Sequence, residues 1–407
     1  MRRKTLRVAL LPMLDIAADS GGMPRAFLRV GGASVAGQQL GIALALGCER
    51  IVCLAPSLTS EIVGLQHRAE KAGAQFHVIP GARPLLGLVT ATDEVIAFAD
   101  GLFAPREAAR ALLSGQQAVL VQPVEQGIAA GFERIDLNNA AAGAMRVPGR
   151  LVERLGELPA DCDVVSSLQR IALQAGVRQV PVGQTGPGNT FWMLLRSDQE
   201  AHAIEPQWIR QQIDDPLPAS PTRGAAMMLV RRLGPAMLHA GSGSHMLIAG
   251  AVFAALLAVV AGAFGFVAAG FTLCALGWLS RETARLLARV ETESEPRRVI
   301  AASLSAYGWS IDLLLVALLG IAAEPGHQMH LAERFFPALM FIALLRILAG
   351  VYRGRWSHWI GDRGVISILL LGAVAGRIAN ETAHFGAVVA AGLALLAISR
   401  NSRLTGP

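Results

Sequence analysis

Lysine is nearly missing from this chain: Lys4 and Lys71 are the only two, so the formal charge of +6 rests almost entirely on arginine. Cysteine is sparse as well. Cys48, Cys53, Cys162 and Cys274 form neither a C-x-x-C pair nor a disulfide-type spacing, which excludes a disulfide framework and leaves ordinary buried thiols. The scattered histidines show no H-E-x-x-H pattern and carry no catalytic or metal-binding expectation. Charge is absent altogether from Met246 to Ser280, a run that stops at Arg281. A bilayer core takes roughly 20 apolar residues per spanning helix, so this run is read as two short helices turning near Gly262, Gly265 and Gly270. No secretory signal is expected either, because the apolar stretch after Met1-Arg2-Arg3-Lys4 is short and meets Asp15.

The 407 residues and 53% hydrophobic content divide unevenly. Residues 1–215 alternate short apolar runs with charged stretches and are expected to form a cytosolic domain. Residues 216–245 are expected to be a linker with an interfacial amphipathic helix over Ala225 to His239, a plain linker helix being the alternative. Asp214 to Pro221 is Pro-rich and marks the boundary. Residues 246–400 are expected to be all-α and transmembrane. After the opening pair, breaks delimit spans at about 301–322, 332–351, 364–380 and 383–399, giving six.

Arginine placement orients those spans. Arg281, Arg285, Arg289, Arg297 and Arg298 follow the second, Arg353, Arg355 and Arg363 the fourth, and Arg400 and Arg403 the sixth. All three sets fall on one side, and the loop Glu324 to Glu333 has no Lys or Arg until Arg334. The expectation is a multi-pass protein of the cell's inner membrane with both termini cytosolic. The same rule accounts for the basic balance, so no nucleic-acid partner is expected.

In the first half, apolar strand candidates occur at Leu6 to Leu11, Arg50 to Leu54, Gln75 to Ile79, Glu94 to Ala97 and Ala118 to Val121, with helical stretches between several of them. That order predicts a layered α/β domain on a mostly parallel sheet. Ligands of such folds bind beyond the carboxyl ends of the strands, here the loop after Leu11 and the turn Ala99-Asp100-Gly101.

The segment from Ser20-Gly21-Gly22-Met23-Pro24-Arg25 to Val30-Gly31-Gly32, then a helix and the strand at Ile51, resembles the start of the sugar-phosphate and molybdopterin-guanine nucleotidyltransferases. The resemblance implies a Rossmann-like, GT-A-type fold in which Gly21, Gly22 and Arg25 face nucleotide phosphates. The family's G-x-G loop is absent, and Arg25 stands where its lysine is expected; a guanidinium makes bidentate phosphate contacts. Asp100 matches the family's metal-binding aspartate, with a turn former as the bland alternative. The family's closing Asp-rich motif is matched by Trp192 to Glu200, where Leu194 and Arg196 replace the aspartates. An apolar and a cationic residue oppose magnesium binding.

The end of the charge-free run resembles a second family, the CDP-alcohol phosphatidyltransferases, with six membrane helices and the motif D-x-x-D-G-x-x-A-R followed by G-x-x-x-D-x-x-x-D. Anchored on Ala284 and Arg285, the aspartate positions are Gly277 and Ser280, and Arg281 replaces the motif glycine. The later half matches at Gly308 and Asp312, with Val316 in place of the last aspartate. Asp312 and Glu282 are the remaining catalytic candidates, and Arg285 a phosphate-binding one; a buried partner role for Asp312 weighs equally. Arg346 and Arg377 either bind a lipid phosphate or snorkel.

The order of the two resemblances is that of bifunctional enzymes which make a CDP-alcohol and transfer its phospho-alcohol group. The reading is therefore a degenerate or repurposed member acting in lipid head-group metabolism, with an active divergent transferase and a membrane scaffold as alternatives. Expected partners are membrane lipids and a CDP-alcohol or nucleotide, then a second copy or a partner enzyme. Magnesium is expected only if the enzyme is active.

Overall fold

A computed structural model describes residues 5–159, 162–183, 191–213, 220–239, 243–291, 297–323, 331–352, 354 and 357–404. The chain divides into two compact units, one ending at Gln211 and the other beginning at Gln212.

The first unit is built on a seven-stranded mixed sheet: β1 (Arg7–Pro12), β2 (Arg50–Leu54), β3 (Gln75–Ile79), β4 (Glu94–Phe98), β5 (Ala118–Pro123), β6 (Asn139–Pro148) and β7 (Gln179–Pro181), in the order β7-β5-β6-β4-β1-β2-β3. The pairings β4-β1-β2-β3 and β7-β5 are parallel. β6 is antiparallel to both its neighbours, so the sheet is mixed where the sequence predicts a mostly parallel one. The sequence pattern passes over β6 because Asn-Ala-Ala-Ala-Gly-Ala has low strand propensity; burial on both sides overrides it.

The parallel strands read as continuous apolar runs because both faces are covered. Ala9 and Leu11, Ile51 and Cys53, Ile96 and Phe98 point into one core, and Val8 and Leu10, Val52 and Leu54, Val95 and Ala97 into the other. The first core takes helices α1 (Val35–Ala45) and α2 (Ser60–Lys71); the second takes α3 (Val164–Gln174). Each helix starts on a side-chain cap: Ser34, Thr59 and Asp163 accept from first-turn N–H groups. Helix α4 (Asp198–Ile213) is fastened by Trp208, which meets Phe103 and Phe191 edge-on at centroid distances of 5.0 and 5.2 Å.

In the second unit, α5 (Pro221–His239) precedes α6 (Gly243–Ala263) and α7 (Val267–Val290), which form a hairpin turning through Gly265 at φ +80°. Then come α8 (Arg297–Ala322), α9 (Leu331–Val351), α10 (Arg363–Ala375) and α11 (Ala379–Leu404). Gly262 and Gly270 let α6 and α7 close on Leu318; a Cβ on either would stand 2.7 Å from its Cδ2.

Four described helices are long and apolar enough to cross a membrane, over Gly243–Ala263, Ala302–Ala322, Ala332–Val351 and Ala379–Ser399. They expose large apolar side chains such as Phe253, Leu256, Phe385 and Leu396, a surface that suits lipid. These features mark a membrane protein. Among the described residues, length and composition pick out four spans of the six expected. The helix expected over 364–380 is the 13-residue α10, about 20 Å long against a core of about 30 Å. The 24-residue α7 carries Arg281, Glu282, Arg285 and Arg289 in its second half. Most of the Pro-rich boundary, Arg353 and Arg355, and most of the loop Glu324 to Glu333 that lacks Lys and Arg lie outside the described residues.

Candidate functional site

At the carboxyl end of the first unit's sheet, the chain leaves β1 through Met13 and returns at Arg25, and Asp100 lies in the turn two residues past the end of β4. Asp100 joins the two: its Oδ2 accepts from the backbone N–H of Leu14 at 2.7 Å and of Asp15 at 2.8 Å. Its Oδ1 is buried and has no hydrogen-bond partner among the described residues. Burial pushes the Asp100 carboxyl up to about 7, against the two backbone donors, and the Asp15 charge acts in the same direction.

Arg25 lies beside this carboxylate. Its Nη1 donates to Asp15 Oδ2 at 3.1 Å, while its buried Nε is unpartnered among the described residues. The loop between them closes on itself through Arg25 N to Asp15 O and Ala17 N to Met23 O. Gly21 and Gly22 form its tip at φ +64° and +102°, with open space around both. Gly101, at φ +74°, is required by the crowding here: a Cβ would stand 2.6 Å from the Leu195 carbonyl oxygen and 3.2 Å from Arg25 Cβ.

The closing segment reaches the same place. Leu195 N donates to Gly101 O at 2.9 Å, and Ala18 N to Arg196 O at 2.8 Å. Leu194 pairs with Leu102 in a short antiparallel ladder and is half-buried, whereas Arg196 is exposed, its guanidinium against Gly131. Gly21, Gly22, Arg25 and Asp100 thus share one end of the sheet with Leu194 and Arg196. Asp15 is the functional neighbour that sequence reasoning missed. Its only signal is position, just past the end of β1.

Two carboxylates meet here, but Arg25 holds Asp15 and the positions 194 and 196 supply no oxygen ligand. The donor set does not fit a magnesium ion held by paired carboxylates. Burial pushes the Cys48 and Cys53 thiols up to about 12, which disfavours their thiolates, whereas Cys162 is partly exposed and not the buried thiol expected.

In the second unit the resembling positions are filled by other groups. A Cβ on Gly277 would stand 2.2 Å from the Tyr307 hydroxyl, which donates to Ala251 O at 3.1 Å. Ser280 donates to Leu247 O at 2.7 Å. Arg281 donates from Nε to Leu304 O at 3.0 Å, stacks over Trp278 at 4.4 Å and pairs with buried Glu282. Arg285 is half-exposed and 4.0 Å from Glu282.

Asp312 is 6% exposed and belongs to two arginines. Arg363 donates from Nε to its Oδ1 at 2.6 Å and from Nη2 to Oδ2 at 3.3 Å, and Arg346 donates to Oδ2 while stacking on Trp309. Val316 packs beside the bundle core. Among the described residues no three His, Cys, Asp or Glu side chains converge in a way that would hold a metal ion. The space at Gly277 is filled and Asp312 is neutralised by guanidinium groups, so these residues do not fit a two-metal centre. Arg377 stands apart, past the end of α10 at φ 56°.

Asp362 is a second residue the sequence reading missed. It is 2% exposed and caps α10 through Gly364 N and Val365 N. The same carboxylate accepts from Thr222 N at 3.0 Å and Thr222 Oγ1 at 2.7 Å, at the start of α5. An acid directly before an apolar helical run is the signal that finds such a cap.

No family model and no curated protein matches the chain. Among solved structures it is similar to a UDP-glucose pyrophosphorylase from Acinetobacter baumanii, at 12% identity over 51% of this chain and 94% of that one, with a TM-score of 0.37. A UDP-glucose pyrophosphorylase complexed with UDP-glucose matches at 9% identity over 42% and 88%, with a TM-score of 0.31. The inositol-1-phosphate CTP transferase from T. maritima matches at 14% identity over 44% and 87%, with a TM-score of 0.32.

Proposed function

We propose that this chain is a repurposed relative of the bifunctional nucleotidyltransferase–CDP-alcohol phosphatidyltransferases, acting in lipid head-group metabolism without turning over a CDP-alcohol. In this reading six helices cross the cell's inner membrane and both termini are cytosolic, as the arginine sets favour. The first unit binds a nucleotide beside Arg25, and the bundle meets lipid or a partner enzyme.

The observation that carries the reading is the pair Gly277 and Tyr307. Where the resembling enzymes place a metal-binding aspartate, this chain has no side chain, and a tyrosine from α8 takes the volume. The Asp312–Arg363 pair supports it, because a carboxylate bound by two guanidinium groups is not free for a metal or for an attacking alcohol's proton.

One observation favours a second reading, a divergent transferase working from the first unit. The unpartnered Oδ1 of Asp100 is the type of group a ligand or cation satisfies. Purified full-length protein in detergent, given CTP, magnesium and phospho-alcohols, tests both. No release of pyrophosphate or CMP above background is expected. Magnesium-dependent release that Asp100→Asn or Asp312→Asn abolishes would overturn the non-catalytic reading. Thermal unfolding with CTP separates nucleotide binding from pure scaffolding, since only binding raises the transition by mass action.

A further inference from the structure

The other end of the same sheet holds a second cleft, of about 540 Å³, at the amino ends of β4, β5 and β7. Its floor is charged and fixed. Arg146 is 7% exposed; Nη2 donates to Glu94 Oε2 at 2.7 Å and Nη1 to the carbonyls of Leu113, Ser114 and Gly115. Arg7 donates to the same Glu94 oxygen at 3.2 Å, so one carboxylate is divided between two guanidinium groups and positive charge is left over. The Nε of Arg146 is buried and finds no partner among the described residues. Burial alone would lift the Glu94 carboxyl, but Arg146 and Arg7 hold it below the usual range and the floor stays ionised.

The walls add to that surplus. Arg150, just past β6, and Arg178, just before β7, both line the cleft and are exposed. Neither side chain has a hydrogen-bond or ion-pair partner among the described residues, in contrast to Arg146. Gln116 and Gln117 contribute primary amides, and Leu151 and Val177 a small apolar patch. Arg150 and Arg178 add two cations to a cleft whose lining carboxylate, Glu94, is already taken by Arg146 and Arg7, and the planar forks of guanidinium groups match phosphate oxygens. The volume falls in the range of small-molecule sites.

We infer that this cleft binds a small diphosphate-bearing metabolite, with Arg150 and Arg178 taking the phosphates and the Gln116 and Gln117 amides its polar body. The site is separate from the one at Asp100. The strand Glu94–Phe98 lies between them, about 13 Å at the rise of an extended chain, so one phosphate group cannot reach both. The inference is therefore independent of the function proposed above.

Calorimetric titration of the full chain in detergent with inorganic pyrophosphate and with CDP, at constant ionic strength, tests it. Saturable binding is expected. The double variant Arg150→Gln, Arg178→Gln should weaken it about tenfold or more, the loss of charge-assisted contacts. Both arginines are exposed, and an unaltered thermal transition establishes that the variant is folded. Equal affinity in the double variant, loss of binding in Arg25→Gln alone, or capture only by vesicles containing phosphatidic acid would overturn the inference.

Discussion

Arg363 Nε lies 2.6 Å from Asp312 Oδ1, and the same guanidinium reaches the other carboxylate oxygen at 3.3 Å. The acid at the matched motif position in α8 is thus one half of a buried two-point ion pair, with Arg346 as a third member. Removing one member of such a pair leaves an uncompensated charge, and the measured cost is typically about 3–5 kcal/mol. Asp312→Ala should lower the thermal transition sharply and reduce membrane expression. Asp312→Asn keeps the hydrogen-bond acceptor and should fall between it and the wild type. Expression of the two variants side by side, with detergent-solubilised melting curves, checks the order.

Gly277→Ala puts a methyl group where the Tyr307 hydroxyl sits. Overpacking of this kind costs typically 1–3 kcal/mol. Tyr307→Phe in the same chain removes the one atom that clashes, since no ring carbon lies closer than 3.4 Å, and should recover most of the loss, whereas Tyr307→Leu also relieves the clash but leaves a cavity and should recover less. A double-mutant cycle on melting temperature reads the coupling.

Asp100 sets a pH dependence for the first unit. Its carboxyl stands at about 7 in the folded chain against an ordinary 3.8, so the folded state holds the extra proton through that interval. Its contribution is least unfavourable below pH 4. Stability falls as pH rises from about 4 to about 7 and levels off above. Asp100→Asn removes this slope and should be more stable than the wild type at pH 8, by up to a few kcal/mol. Thermal unfolding between pH 4 and 8 measures the difference between the two curves. A wild-type curve parallel to that of Asp100→Asn would remove the buried-carboxyl account.

Thr222→Val removes a hydroxyl that donates to Asp362 at 2.7 Å but leaves the α10 cap intact. The expected cost is about 1–2 kcal/mol, since the buried carboxylate loses one donor. Asp362→Ala, which loses the cap and both Thr222 contacts, should cost distinctly more. Detergent-solubilised melting curves rank the pair.

The α/β order of the first unit was legible because β1, β2 and β4 alternate between two buried faces and appear as unbroken apolar runs. Strand β6 was not, since its alanines are silent until the burial around them is known. The hairpin of α6 and α7 was announced by Gly265 and by the missing charge. For the sites, the sequence named Arg25 and Asp100 but not the loop that brings Asp15 to Arg25. It located Asp312 but could not foresee Arg346 and Arg363 on it, because that contact joins helices 34 and 51 residues away. The opposite cleft was invisible for the same reason: Glu94, Arg146, Arg150 and Arg178 meet only once the antiparallel strand is in place.

Asp362 ties the first residues of α5 to the first residues of α10 with one carboxylate. Arg363, the next residue, holds Asp312. Two adjacent residues at the start of α10 therefore form a relay that joins the first turn of α5 to α8, a three-helix junction made entirely of charge and hydrogen bonds.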